Sequence, residues 1–393
     1  MQGGSIRLLA RPLDATAGSG GTLTLAGVNT LAARMFLGAA PTGAPGVPGG
    51  VLRVTNAAAL GTAGVQIDAD GSSIQLDGAS TGLFIPASNL FLRGGGADGI
   101  GALHNAAGAN RLGGHLALLA DATINVASGS SLDVSGDLAD LSVASSAAAQ
   151  ARLVLDGGGT LTLRRLARFN LDSGTYTATT AAGSALARVE VRAGTLRLED
   201  RPGIHRPDQT SVVRELSIAG SARLDLGDSA LVVDYSSSSP LAEIRGWIAT
   251  GFAGGAWNGP GIASSSAAFD WRAGLAYAES TQWPATLLSG FAGRQVDATS
   301  VLVGYALFGD TDISGRVDLS DFAALASHFN SAGTWADGDF TYDGSITIAD
   351  FARLAQNFNV ALDVATARPV PEPGAAMSLL AGACLSRRQR RRC

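Results

Sequence analysis

The chain has 393 residues, 46% of them hydrophobic, 16% charged and 52 glycine, so it is too apolar for a disordered chain and long enough for two or three domains. All 28 basic residues are arginine, which excludes reactions that need a lysine nucleophile, lysine base or phosphate-loop lysine. Five of these arginines lie in the last seven residues; the other 23 stand against 33 acidic residues, and so acidic a body argues against a nucleic-acid partner.

Up to about residue 235 one phrase recurs: glycine, a small residue, then two apolar residues flanking a variable position. It stands as GGTLTL (20–25), GGVLRV (49–54), GSSIQL (71–76), GSSLDV (129–134), GGTLTL (158–163), GTLRL (194–198) and SARLDL (221–226). Each copy predicts a short strand of period two after a turn. Repeats of this kind, rich in glycine and poor in helix signals, predict a mainly β fold built as a solenoid, with a sandwich or propeller as the competing architecture. The phrases GGTLTLAGVNT and LHNAAGANRLGGHLALLADATINVASGSSLDVSG resemble autotransporter-associated β-strand repeats. That resemblance covers roughly residues 18–235 and implies a right-handed parallel β-helix serving as an elongated surface stalk over residues 1–235.

One polar cluster interrupts the repeats, LEDRPGIHRPDQT, with Glu199, Asp200, Arg201, His205, Arg206 and Asp208. It could supply an acid pair or an arginine base beside a groove. Pro202 and Pro207 favour a solvated loop instead, and no catalytic residue is assigned. His104, His115 and His328 are isolated and lack ligand spacing.

The composition changes near residue 236, and all five tryptophans (Trp247, Trp257, Trp271, Trp283, Trp335) lie beyond it. Residues 236–308 read as a connecting module whose tryptophans pack into a small core. SPLAEIRGWIATGF predicts a helix with Ser239 as N-cap, Pro240 at the first helical position and Gly251 closing the end. VDATSVLVGYALFGD predicts a strand with Val301, Val303, Tyr305 and Leu307 on one side. The run resembles a connecting module that precedes dockerin-like repeats in exported proteins of planctomycete-type bacteria.

Residues 309–359 carry a duplicated acidic pattern. With Asp310 as position 1, Asp312, Ser314, Arg316 (through its carbonyl), Asp318 and Asp321 fall at positions 3, 5, 7, 9 and 12, with Gly315 at the sharp turn. This is the oxygen spacing of a twelve-residue calcium loop. The second copy supplies Asp339, Thr341, Asp343, Ser345, Thr347 and Asp350, with Gly344 at the turn. Two Ca2+ ions are expected, the second held less tightly because Thr341 replaces a carboxylate. Val317 and Ile346 are expected to pair the loops back to back. DFAALASHFN and DFARLAQNFN predict a helix after each loop, with Phe322, Leu325 and Phe329 repeated as Phe351, Leu354 and Phe358. Two loop–helix units with aspartate at position 12 resemble a type I dockerin, which implies calcium binding and a cohesin-like partner. Leu319–Ser320 and Ile348–Ala349 replace the hydroxyl pair of cohesin-binding dockerins, and Ala326–Ser327 and Ala355–Gln356 replace their basic pair.

After a linker (360–369), VPEPGAAMSLLAGACLSRRQRRRC (370–393) joins Pro371, Glu372 and Pro373 to an apolar stretch and to Arg387, Arg388, Arg390, Arg391 and Arg392. It resembles a PEP-CTERM sorting signal, which implies an exosortase-type processing enzyme, transient membrane association and a final position at the cell surface or in the extracellular matrix. Both cysteines, Cys384 and Cys393, belong to this tail, so the body has no thiol. MQGGSIRLLARPLD has no secretory apolar run, so an export signal is expected upstream. The sequence thus predicts a non-catalytic exported structural or adhesion-type protein. The alternative is a secreted polysaccharide-degrading protein recruited through its dockerin; an extracellular polysaccharide is a candidate ligand in either case.

Overall fold

The computed structural model describes residues 7–8, 21–28, 35–37, 50–60, 64–79, 81–86, 88–136, 138–140, 151–164, 166, 169–172, 175–178, 186–199, 210–284, 291–292 and 296–362. Met1–Arg201 and His205–Leu362 belong to one compact unit, while Pro202–Ile204 and Asp363–Cys393, the second unit, lie outside the described residues.

The fold is mainly β, and its strands run predominantly in parallel. The recurring phrases form strands whose leading apolar residues stand in register. In the larger sheet, of 16 strands, Leu23 pairs with Leu52, Leu52 with Ile74 and Ile74 with Leu103. In the seven-stranded sheet a second row runs through Leu132, Leu161, Leu196, Leu224 and Ile262. From Leu52 onward every residue named in these rows is fully buried. Period-two strands put these residues on one face, and each such burial contributes about 1.5–3 kcal/mol. The 11-residue strand Leu116–Val126 has parallel partners on both sides: Leu116 pairs with Leu90 and Leu138, and Ile124 with Leu103 and Leu155. At the turn after Leu103–Ala107, Asn110 donates to Asn105 Oδ1 (2.7 Å) and Asn105 to Ser130 Oγ (3.0 Å), so these buried polar groups satisfy one another.

In the larger sheet the parallel pattern ends at Ala230–Asp234. This strand pairs antiparallel with Ser300–Leu307, which pairs antiparallel with Ala273–Glu279, the last strand in the sheet order. Ser300–Leu307 is the predicted strand, but both of its faces are buried, because a strand inside the sheet is covered on each side. Helix Leu241–Phe252 begins one residue later than expected: Pro240 is its N-cap, although Ser239 Oγ still accepts from Leu241 N (3.1 Å). Gly251 does not close the helix; Ala253 takes the left-handed position. Gly251 lies where a Cβ would fall 1.9 Å from Ile262 O, so glycine there permits close approach of helix and strand. Trp257, Trp283 and Trp335 are buried and Trp247 is half-buried, whereas Trp271 is 66% exposed, so the expected tryptophan core forms only in part. No helix among the described residues is long and apolar enough to cross a membrane.

Candidate metal centre

The two loops have nearly the same backbone. Position 6 is left-handed in both (Gly315, φ 83°; Gly344, φ 84°), which glycine adopts without steric cost. Position 4 is left-handed as well, in Ile313 and Tyr342. Each loop runs into a helix, Leu319–Ser327 or Ile348–Asn357, whose N-cap is the position-9 residue: Asp318 in the first and Thr347 in the second. Position 12 completes a reciprocal cap, for Asp321 Oδ2 accepts from Asp318 N (2.8 Å) and Asp350 Oδ2 from Thr347 N (2.8 Å). Of the repeated apolar residues Leu325 and Leu354 are buried, but Phe322, Phe329 and Phe358 are exposed, and Phe322 meets Phe351 edge-on at 6.1 Å.

Val317 and Ile346 are buried but do not bond to each other. Val317 bonds to Val360 and Asn359 beyond the second helix, and Ile346 to Ser331 and Asn330 beyond the first. Each loop is therefore closed by the chain leaving the other loop's helix, where left-handed Asn330 and Asn359 follow the helices and turn their backbone groups toward the loop.

In the first loop Asp310, Asp312 and Asp321 bring carboxylate oxygens within 4.8 Å of one another. Asp310 accepts from Ser314 N (3.0 Å) and Gly315 N (2.8 Å), and Asp321 Oδ1 from Thr311 N (2.7 Å) and Thr311 Oγ1 (2.8 Å). Ser314 Oγ lies 3.5 Å from Asp310 Oδ1 and 3.1 Å from the Arg316 carbonyl, which brings positions 1, 5 and 7 together. Asp318 stays apart: its Oδ1 accepts from Ser320 N (2.9 Å) and Ser320 Oγ (2.6 Å), bonds that lower its pKa. Burial, reinforced by the neighbouring Asp321, pushes the Asp310 carboxyl up to about 8, and burial also raises Asp321. Crowded buried carboxylates of this kind call for a positive charge. The group can hold a metal ion, and its donors are all oxygen, the set preferred by hard cations.

The second loop brings fewer carboxylates together, and among the described residues it forms no equivalent trio. Thr341 Oγ1 donates to Asp350 Oδ1 (3.0 Å), so a hydroxyl stands where the first loop has Asp312. Asp343 Oδ1 accepts from Ser345 N within the turn (2.8 Å). Asp339 is fully buried, and burial pushes its carboxyl up to about 6 against the hydrogen bonds from Tyr277 and Gly344. Its Oδ2 accepts from Tyr277 Oη (2.6 Å) and Gly344 N (3.0 Å), while Oδ1, also buried, has no hydrogen-bond partner.

Several residues around the loops were not legible as part of the site. Trp335 Nε1 donates to the Asp310 carbonyl (2.7 Å), and Tyr342 Oη accepts from Leu275 N (2.9 Å). Asn357 Nδ2 donates to the carbonyls of Phe308 (2.7 Å) and Arg272 (2.8 Å). Phe252, Trp257, Tyr277, Phe308 and Trp335 all pack around Tyr342, with ring centroids 5.0–6.4 Å away. Tyr342 could have been noticed as an aromatic residue between two ligand positions. Nothing in the sequence links Tyr277 to Asp339.

Of the polar cluster, Asp200, Arg201, His205, Arg206 and Asp208 lie outside the described residues, as does the tail with Pro371, Glu372, Pro373 and its arginines. Glu199 lies 3.9 Å from Arg164. A cavity of about 700 Å³ on the larger sheet is lined by Arg152, Arg188, Arg214, Glu190, Glu215 and Tyr235, among others. Arg152 pairs there with Glu190 (3.2 Å) and Arg188 with Glu215 (2.9 Å), a charge ladder between neighbouring strands. No protein-family model, no curated protein and no solved structure matches this chain.

Proposed function

We propose that this chain is a non-catalytic, exported surface protein: a parallel β-helical stalk, right-handed as its repeats imply, with a calcium-stabilised, dockerin-like loop pair and an exosortase sorting tail. The observation that carries the reading is the first loop, where three carboxylates converge with a hydroxyl and a carbonyl within reach. Calcium suits such a flexible set of oxygens better than magnesium, which demands a tighter octahedron. The unbroken parallel register of the Leu132–Ile262 row supports the stalk. Leu319 and Ile348, 70% and 68% exposed, put apolar side chains where cohesin-binding dockerins carry hydroxyls, which supports a partner other than a standard cohesin. Exosortase remains the expected processing partner, and an extracellular polysaccharide or a cohesin-like protein the expected ligand.

Calorimetric titration of the full chain should show uptake of two calcium ions, the second more weakly, and calcium should raise the unfolding temperature relative to excess EGTA. Absence of uptake at millimolar calcium would overturn the calcium reading. Intact-mass analysis of protein from the native host should show a chain lacking the arginine block; an exported form that still ends at Cys393 would remove the sorting tail from the proposal.

A further inference from the structure

Asp339 opens the second loop, yet the shortest hydrogen bond to its side chain comes from outside the loop. Tyr277 belongs to strand Ala273–Glu279, 62 residues earlier, and its hydroxyl donates to Asp339 Oδ2 at 2.6 Å, with both side chains fully buried. Gly344 N supplies a second bond to the same oxygen. With Oδ2 doubly occupied, the carboxylate is fixed in rotation, and Oδ1 is left buried without a partner. An unpaired buried carboxylate oxygen is costly unless a cation meets it. Arg245 does not do so: its guanidinium fills the space over Gly344, where a Cβ would fall 2.2 Å from Nη1, and it forms no ion pair with a described carboxylate. The first loop has no such support, for Asp310 takes its hydrogen bonds from its own loop.

Strand Ala273–Glu279 is also the last strand in its sheet's order, where unpaired backbone groups need cover. The second loop provides some of it, since Tyr342 Oη accepts the Leu275 amide. The same loop thus receives a bond from the strand at position 1 and gives cover back at position 4.

We infer that Tyr277, a residue of the sheet, is a positioning residue for a cation in the second loop, so that occupancy of that loop and its seating on the sheet's last strand strengthen each other. The inference rests on the reading of both loops as cation sites. A phenol that orients a ligand carboxylate acts as an outer-shell partner, and loss of such partners weakens metal binding by about 10–100-fold. Coupling of this kind is reciprocal: if the strand favours the ion, the ion favours the docked strand.

The test is calcium calorimetry on the full chain and on Tyr277→Phe, combined with amide exchange of residues 273–279 with and without calcium. The expected result is two ions in the wild type, and in Tyr277→Phe one site unchanged and the other weakened at least tenfold. Calcium should slow exchange at 273–279 in the wild type, and Asp343→Asn, a change at an exposed ligand position away from Tyr277, should abolish that slowing. Two sites of wild-type affinity in Tyr277→Phe would overturn the inference and leave the calcium reading intact. Wild-type protein that takes up no calcium would overturn both. If Tyr277→Phe does not fold, the exchange experiment decides: slowing that persists in Asp343→Asn overturns the inference.

Discussion

The two acidic loops share one backbone and deal with their buried charge differently. The first crowds three carboxylates together, and the Asp310 and Asp321 side chains take their hydrogen bonds from within the loop, so its cation affinity is written into a continuous stretch of sequence. The second replaces one carboxylate by Thr341 and takes an outside hydrogen bond from Tyr277, leaving one buried oxygen unpaired. The contrast shows that a repeated motif fixes the path of the chain while neighbouring elements decide how each copy works.

The largest effect should come from the position-12 residues, which act alike in both loops. Asp321 holds Thr311 and Asp318 amides, and Asp350 holds those of Phe340, Thr341 and Thr347. Asp321→Ala or Asp350→Ala should therefore cost about 1–3 kcal/mol, since each leaves one buried amide, Thr311 or Phe340, without its partner. Denaturant midpoints measured in saturating calcium would check this, with calcium uptake lost in the altered loop alone. If both variants unfold like the wild type, the position-12 carboxylates do not hold the loops together.

A smaller change would sharpen the contrast by making the loops more alike. Thr341→Asp gives the second loop a carboxylate at position 3, as in the first, and its calcium affinity should rise by about tenfold as the ligand charge grows. The Thr341–Asp350 hydrogen bond is lost at the same time, so stability in EGTA should fall. Calorimetry in calcium and thermal unfolding in EGTA should move in opposite directions; a fall in both would mean that Thr341 is needed as a donor more than a carboxylate is needed as a ligand.

The smallest effect is expected where a carboxylate is paired on the sheet surface. Arg53 donates through Nε (3.1 Å) and Nη2 to Asp77, and that hydrogen bonding lowers the Asp77 pKa below its ordinary 3.8. A folded-state pKa below the unfolded one means that the contribution is complete above pH 3.8 and disappears as pH falls through the folded value. Arg53 is 44% exposed, so solvent screening limits the pair to about 1 kcal/mol or less. Asp77→Asn should lower the unfolding temperature slightly at pH 7, and the difference should shrink as the pH falls below 3.8. An effect as large as that of Asp321→Ala would mean that surface and buried carboxylates do not differ as argued.

What could be read from the amino-acid sequence was local: the strand at each glycine-led phrase, and the glycine turn and following helix of each loop. These follow from short-range causes, namely side-chain alternation, left-handed glycine and hydrogen bonds spanning three residues. The tertiary structure alone decided that the Asp318 carboxylate stays apart from the other three positions' oxygens, and which apolar repeats are buried, as Leu325 and Leu354 are while Phe322 and Phe358 are not. It also decided that Val317 and Ile346 bond to the returning chain, and that Tyr277 reaches Asp339 across 62 residues. Spacing along a chain reports which groups can share a turn or a face, but contacts between distant elements depend on how those elements pack, and no local period encodes that.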